Sequence, residues 1–183
     1  VVIGPGLGQE AGAERLLDLV LQEAKKLPEL PVVIDADGLN LLAKKRLYST
    51  LGRQYVLTPH LREMSRLSGK SVQEIADDMT SAVMGQQAGA TIVLKDARTL
   101  VSDGDWLYIN LSGNSALSTG GSGDVLSGMI GGLLAQGCTQ RTAATLAVYM
   151  HGLTAEQYCE SAPPHCMLAR DILEMIPKIG GNS

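Results

Sequence analysis

A glycine-rich stretch in the second half of the chain carries the clearest chemical signal in the sequence. The run Gly120-Gly-Ser-Gly-Asp124 sets three glycines around one serine, and glycines let a backbone turn sharply and direct its N–H groups toward a ligand. An apolar run of helical length follows, up to Ala135. The unpaired N–H groups and the dipole at the start of such a helix favour a bound anion. We interpret this stretch as a candidate phosphate site.

Asp124, at the predicted start of that helix, has two interpretations. A carboxylate in this place can cap the helix by accepting backbone hydrogen bonds. It can also serve as a general base beside a bound phosphate. The loop taken alone favours the cap, and the other candidate residues shift the balance toward the base.

Those other residues follow predicted strands at the point where each strand ends. Asp35 and Asp37 come after Val32-Val-Ile, His60 comes after Gln54-Tyr-Val-Leu, and Lys95 comes after Thr91-Ile-Val-Leu. In parallel α/β sheets, ligands bind at the carboxyl ends of the strands. Turn chemistry explains the two aspartates equally well, and a surface or capping role suits an isolated histidine. Their convergence on one sheet edge, together with Gly6 and the 120–124 loop, is what a ligand cleft requires.

The elements that would position these residues alternate between strand and helix. A glycine turn after Val1-Val-Ile leads to a helix over 10–27, because apolar residues there recur at helical spacing. Thr58-Pro59 predicts a helix start with proline in the first turn. Ser71 and Glu74 form a capping-box pattern, which predicts a helix running to about Ala88. We expect a three-layer α/β/α sandwich around a largely parallel sheet.

Two departures from simple alternation complete the predicted architecture. The run 99–109 is predicted to be an antiparallel hairpin that turns at Asp103-Gly104. Helices are predicted over 141–158 and 168–176. No linker or internal repeat interrupts the sequence, so we expect a single domain over 1–183. Since the chain opens inside an apolar strand, we also expect that N-terminal strands of the native domain precede residue 1.

Composition excludes several classes of function. The chain has 183 residues, 45% of them hydrophobic, and a formal net charge of −4, which argues against nucleic-acid and anionic-membrane surfaces. No apolar run approaches membrane-spanning length, and the first residues lack the charged segment of a signal peptide. The three cysteines fit no zinc motif and indicate a reducing compartment. We expect a cytoplasmic protein.

Five motifs in one order resemble a known family. They are Gly4-Pro-Gly-Leu-Gly, Asp35-Ala-Asp-Gly-Leu-Asn, Leu57-Thr-Pro-His with Glu63, Val93-Leu-Lys, and Thr119-Gly-Gly-Ser-Gly-Asp-Val-Leu-Ser-Gly. Together they resemble the ADP-dependent NAD(P)H-hydrate dehydratases, a carbohydrate-kinase-like branch of the ribokinase fold. The glycine loop alone marks only the superfamily, whereas the first two motifs select the dehydratases.

The resemblance implies a metabolite-repair lyase. Its substrate would be the S epimer of hydrated NADH or NADPH (NAD(P)HX), and ADP or ATP with Mg²⁺ would convert the ring hydroxyl to phosphate before it leaves. The resemblance also implies a homo-oligomer and an NAD(P)HX epimerase as a partner or fused domain. A vitamin-precursor kinase of the same superfamily and a non-catalytic nucleotide-binding module remain as alternatives, of which an intact Asp124 disfavours the second.

Site residues carry over by motif. Asp124 would be the base, and the backbone N–H groups of Gly121, Ser122 and Gly123 would form an anion hole for the phosphoryl group. Gly6, His60 and Asp124 would contact the hydrated nucleotide. The adenine nucleotide would contact Lys95, Asp96, Ala97, Arg98, Thr99 and Gly123. Four residues would lie near Mg²⁺ and the phosphates without a direct metal ligand being assigned: Asp35, Asp37, Asn40 and Glu63. Asp96 stands where the family usually has glycine, and Ser122 where threonine is common.

Overall fold

A mixed sheet forms the middle layer of the protein. The computed structural model describes residues 1–84 and 89–179. Within these ranges the sheet has six strands in sequence order, of which the first four are parallel and the last two form an antiparallel hairpin. The strands are β1 (Val2–Ile3), β2 (Val32–Ile34), β3 (Tyr55–Leu57), β4 (Thr91–Leu94), β5 (Leu100–Ser102) and β6 (Leu107–Ile109).

Helices cover both faces of this sheet. Those between the parallel strands are α1 (Ala11–Lys26), α2 (Ala36–Lys45), α3 (Leu61–Ser68), α4 (Val72–Asp77) and α5 (Met79–Met84). Those after the hairpin are α6 (Ser122–Ala135), α7 (Gln140–Cys159) and α8 (Ala169–Met175). In the described part of the chain, no helix is long and apolar enough to cross a lipid bilayer.

Alternate residues of each strand divide the core into two parts, since neighbouring side chains on a strand point to opposite faces. Ile34, Leu57 and Ile92 belong to the core under α1–α5. Val33 and Val56, together with their neighbours Val93 and Val101, pack against α6 and α7. Strands buried on both faces are apolar throughout, and β2, β3, β4 and β5 are fully buried. The predicted three-layer sandwich is confirmed.

Two helix boundaries differ from the sequence-based prediction. The helix predicted to start at Thr58-Pro59 begins at Leu61, because His60 is the N-cap. The helix predicted from Ser71 to Ala88 is broken at Asp78 into α4 and α5, and Ala88 lies outside the described residues. The capping box of Ser71 and Glu74 is confirmed.

Candidate active site

A buried ion pair lies at the carboxyl edge of the sheet. Asp35, which follows β2 and caps α2, is 1% exposed. Its Oδ1 accepts hydrogen bonds from Ala36 N at 2.8 Å and Lys95 Nζ at 2.9 Å, and its Oδ2 accepts one from Ser127 Oγ at 2.6 Å. A buried carboxylate is tolerated when it is paired and hydrogen-bonded. Asp35 therefore joins the end of β2, the residue after β4 and helix α6.

The glycine loop directly precedes the first turn of α6. Gly121 is the N-cap with φ of 86° and no side-chain capping bond, so a residue without Cβ suits this left-handed position. Ser122 and Gly123 follow as the first two helical residues. Asp124 is third, and it is exposed. Asp124 is thus not the N-cap, and its carboxylate has no hydrogen bond or ion pair with the described residues. It lies free at the positive end of the helix dipole.

Gly123 lies against the ion pair. A Cβ at Gly123 would be 3.3 Å from Lys95 Nζ and 4.0 Å from Asp35 Oδ2. Its φ is not positive, so a left-handed turn does not explain the glycine. Close approach of the helix start to the Lys95 ammonium does. The Lys95 ammonium of the ion pair therefore lies beside the N–H groups that open α6, and those N–H groups themselves favour an anion.

A cleft of about 840 Å³ opens beside this helix start. Its walls include His60, the segment after β4 and the loop that leads from β6 to α6. Of the predicted site residues, the cleft lining contains His60, Lys95, Asp96, Ala97, Thr99, Ser122 and Gly123. Eight other predicted site residues are outside that lining among the described residues: Gly6, Asp35, Asp37, Asn40, Glu63, Arg98, Gly121 and Asp124. A cleft of this size accommodates a nucleotide-sized ligand.

The loop between β1 and α1 is held by Asp37. Its Oδ2 accepts a hydrogen bond from Gly8 N at 3.0 Å, and its Oδ1 accepts one from Gln9 Nε2 at 2.8 Å. Gly6 lies in the same loop with φ of 64°, and a Cβ there would meet nothing within 4 Å. The structure therefore leaves Gly6 open on its outer side and uses Asp37 to fix the loop beside it.

His60 and Glu63 form a reciprocal cap at the start of α3. His60 Nδ1 accepts hydrogen bonds from Arg62 N at 3.1 Å and Glu63 N at 3.2 Å, while Glu63 Oε2 accepts one from His60 N at 2.9 Å. The carboxylate is 6% exposed and lies 3.5 Å from His60 Nε2. Backbone N–H groups thus occupy Nδ1, whereas Nε2 is on the side of the ring that faces Glu63.

The four side chains predicted to lie near Mg²⁺ and the phosphates already form hydrogen bonds with other protein groups. Besides the contacts of Asp35, Asp37 and Glu63, Asn40 Oδ1 accepts a hydrogen bond from Arg66 at 2.8 Å. Over residues 1–84 and 89–179, no group of three or more His, Cys, Asp or Glu side chains could hold a metal ion. These donors do not fit a resident Mg²⁺ site. Proximity of the four residues to a phosphate-bound ion stays a prediction.

His151, on α7, is a residue of this region that sequence reasoning missed. Its ring is 7% exposed, and Nε2 lies 3.2 Å from Ser122 Oγ and 3.1 Å from Ser122 O. Burial lowers the pKa of His151 from 6.5 to about 4, with a smaller contribution from the Lys95 charge. The ring is therefore neutral at pH 7. The only feature of the sequence that could have pointed to His151 is the presence of a histidine within the largely apolar run of α7.

The buried neutral ring makes the stability of the protein pH-dependent. Because the folded pKa of His151, about 4, is below the 6.5 of the free group, its contribution is complete above pH 6.5 and is lost as the pH falls through 4. The difference between these two pKa values corresponds to a loss of about 3 kcal/mol in the free energy of unfolding. We expect urea denaturation to show that the free energy of unfolding decreases between pH 7 and pH 4, and that His151→Gln largely removes this decrease. The same substitution at exposed His165 should leave the loss unchanged, and an equal effect of both variants would contradict the assignment.

Gly123→Ala should reduce catalysis more than it reduces stability. The new methyl group would press on Lys95 Nζ at 3.3 Å, and Asp35 holds that ammonium in place. If a phosphoryl group binds at this helix start, displacement of the cation or of the first helical turn would misplace it, and misplacement of this order costs about 10- to 100-fold in rate. Turnover and melting temperature should be measured on the same samples.

Gly128→Ala provides the matched control. Gly128 is in α6 as well, and a Cβ there would meet nothing within 4 Å. This variant should be stabilised by up to about 1 kcal/mol and keep its turnover. A Gly123→Ala variant that melts early but keeps its turnover per folded molecule would show that the glycine serves folding alone.

The fold and the site define a class of protein: a three-layer α/β protein with a glycine loop, a helix start and a lysine beside one cleft. A family model described as NAD(P)H-hydrate dehydratase matches residues 1–178. The chain belongs to the NAD(P)H-hydrate dehydratase family.

Relatives and solved structures agree with this membership. The ADP-dependent (S)-NAD(P)H-hydrate dehydratase of Neisseria meningitidis is 44% identical over 167 residues, which are 88% of this chain and 55% of that protein. A bifunctional NAD(P)H-hydrate repair enzyme of Coxiella burnetii is 39% identical over 94% of this chain and 34% of its own length. The chain thus spans about a third to a half of these relatives. A Bacillus subtilis ADP/ATP-dependent NAD(P)H-hydrate dehydratase, co-crystallised with ATP/Mg²⁺, superposes with a TM-score of 0.82 at 31% identity, covering 97% of this chain and 62% of that one.

Proposed function

We propose that this protein dehydrates the S epimer of hydrated NADH or NADPH back to the reduced nucleotide, with ADP or ATP as co-substrate. The observation that carries the proposal is the free carboxylate of Asp124 in the first turn of α6, next to the backbone N–H groups of a glycine loop. Family membership supports it. The Neisseria and Bacillus relatives carry the name of this activity.

The chemistry follows from the poor leaving ability of hydroxide. The hydroxyl oxygen of the nicotinamide ring attacks the terminal phosphoryl group of ADP, and Asp124 accepts the hydroxyl proton during this attack. AMP is the leaving group. Backbone N–H groups of Gly121, Ser122 and Gly123 stabilise the negative charge on the transferring group. The ring nitrogen then donates its electron pair as the C–O bond breaks and phosphate departs. Loss of a proton from the neighbouring carbon restores the double bond.

Two ligands are assigned to the residues around Asp124. The adenine nucleotide occupies the cleft and contacts the 95–99 segment and Gly123. The hydrated nucleotide contacts Gly6, His60 and Asp124. Lys95 supports the first assignment, because its ammonium lies beside Gly123 and is 20% exposed. Mg²⁺ would be held by the phosphates of the nucleotide, because the described residues supply no metal site of their own.

The wider setting of the protein is part of the same proposal. We place the chain in one dehydratase domain that assembles as a homo-oligomer in the cytoplasm and works with an NAD(P)HX epimerase, separate or fused. Relatives such as the Coxiella burnetii protein are named bifunctional, which supports a fused second activity.

Product analysis tests the function directly. Incubation with hydrated NADH, ADP and Mg²⁺ should restore the absorbance of reduced nicotinamide and release AMP and phosphate in equal amounts. A vitamin-precursor kinase would instead phosphorylate an alcohol and leave hydrated NADH unchanged. Nucleotide binding without any turnover would favour the non-catalytic module and overturn the proposal.

A further inference from the structure

We infer that the side-chain hydroxyl of Ser122 is an additional hydrogen-bond donor to the phosphoryl group, and that His151 is the positioning residue that leaves this donor free. The inference rests on the proposed function and adds a side-chain donor to the backbone N–H groups of the loop. It starts from the two contacts of His151 Nε2 with Ser122.

The contact with the backbone fixes the tautomer of His151. Ser122 O is a carbonyl oxygen and can only accept a hydrogen bond. At 3.1 Å, with both residues buried, an unprotonated Nε2 would set two lone pairs against each other in a region of low dielectric. Because the ring is neutral at pH 7, its single proton is on Nε2 and is donated to Ser122 O. The other ring nitrogen, Nδ1, carries none.

This tautomer determines where the hydroxyl of Ser122 points. Nε2–H also lies 3.2 Å from Ser122 Oγ, and a protonated nitrogen cannot accept the hydroxyl hydrogen. In the described residues, Ser122 Oγ has no other hydrogen-bond partner. Ser122 lines the cleft and is the first residue of α6, so the vacant direction for the O–H is toward the cleft, where the phosphoryl group would bind.

Surrounding contacts hold His151 rigidly enough for this task. Its carbonyl accepts a hydrogen bond from Thr154 Oγ1 at 2.6 Å. The next residue, Gly152, lies so close to Ser112 that a Cβ there would overlap it, and Ser112 Oγ donates to Tyr149 O at 2.9 Å. One turn of α7 therefore contacts both the start of α6 and the 110–114 segment, and both of these line the cleft.

Nitrogen NMR tests the tautomer without any turnover. The chain has three histidines, and the signals of His151 are identified by their loss in His151→Gln. At pH 7, long-range ¹⁵N–¹H spectra of the wild type should show a protonated Nε2 and an unprotonated Nδ1. A proton on Nδ1 would mean that Nε2 accepts the Ser122 hydroxyl, and it would overturn the inference whatever the function is.

Kinetics test the donor. Ser122→Ala removes the hydrogen bond from the hydroxyl to the charged phosphoryl group. The single-turnover rate with ADP and hydrated NADH should therefore fall by about 10- to 100-fold. Ser122→Thr keeps the hydroxyl and should retain most of the rate. Ser102→Ala removes another buried serine hydroxyl, in β5, and should leave turnover per folded molecule unchanged. If the wild type is active and Ser122→Ala equals it, the inference fails alone. If the wild type does not act on hydrated NADH, the proposed function fails, and the NMR result still decides the tautomer.

Discussion

Asp124→Asn is expected to remove most of the ADP-dependent dehydration while nucleotide affinity stays nearly unchanged. Asparagine has the same shape as aspartate, but its amide does not accept the hydroxyl proton. General-base catalysis contributes about 10²- to 10⁴-fold in rate. A helix-start carboxylate contributes only about 0.3–1 kcal/mol to stability through the dipole, and Asp124 makes no capping bond that the substitution would break. Single-turnover phosphate release at saturating ADP and hydrated NADH measures the effect.

Glu74→Gln is the control for this experiment. Glu74 is the third residue of α4, as Asp124 is of α6, and it accepts a capping bond from Ser71 N at 2.8 Å. Its substitution should lower stability slightly and leave the rate unchanged. An Asp124→Asn variant that keeps more than about a tenth of the wild-type rate would lie outside the range of general-base catalysis, and the catalytic assignment would be withdrawn.

The second large effect is expected on stability. Asp35→Asn keeps the size of the side chain but leaves the Lys95 ammonium beside α6 without its anion. Breaking a buried ion pair by removing one partner costs about 3–5 kcal/mol, and Lys95 is sufficiently covered, at 20% side-chain exposure, for most of that cost to apply. Urea denaturation at pH 7 provides the measurement.

A second substitution separates charge from shape. In Asp35→Asn/Lys95→Met both charges are absent, so no uncompensated ion remains, and stability should recover in large part. A single variant that loses less than about 1 kcal/mol would behave as an exposed ion pair does. That result would contradict the buried role assigned to Asp35.

The fold was predictable because its signals are local. Continuous apolar strands, the capping box at Ser71 and the Asp103-Gly104 turn each depend on residues close in sequence. The start of α3 was misplaced because Thr58-Pro59 resembles a helix start, whereas the reciprocal bonds between His60 and Glu63 put the cap one residue after the proline. The break between α4 and α5 at Asp78 was not predicted, because the sequence has no glycine or proline at that position.

The candidate site was predictable only in part. Residues at the ends of strands were expected at one edge, and the pairing of Asp35 with Lys95 joins two of them. The uses of the other polar residues depend on distant partners: Asp37 holds Gly8, and Asn40 holds Arg66. His151 is 29 residues from Ser122 in the chain, so its contact arises from the packing of α7 on α6, which no local pattern encodes.

The sheet's strand order has a consequence for how the chain acquires its structure during synthesis. Because β1 to β6 are neighbours in the order in which they are made, the sheet and the α1–α5 layer can assemble as the chain emerges. The opposite face of valines, Val33, Val56, Val93 and Val101, stays uncovered until α6 and α7 have been made. Exposed apolar strand surface of this kind promotes aggregation of nascent chains. The glycine loop at 120–123 directly precedes α6, so the layer that covers this face begins at the loop to which the phosphoryl group is proposed to bind.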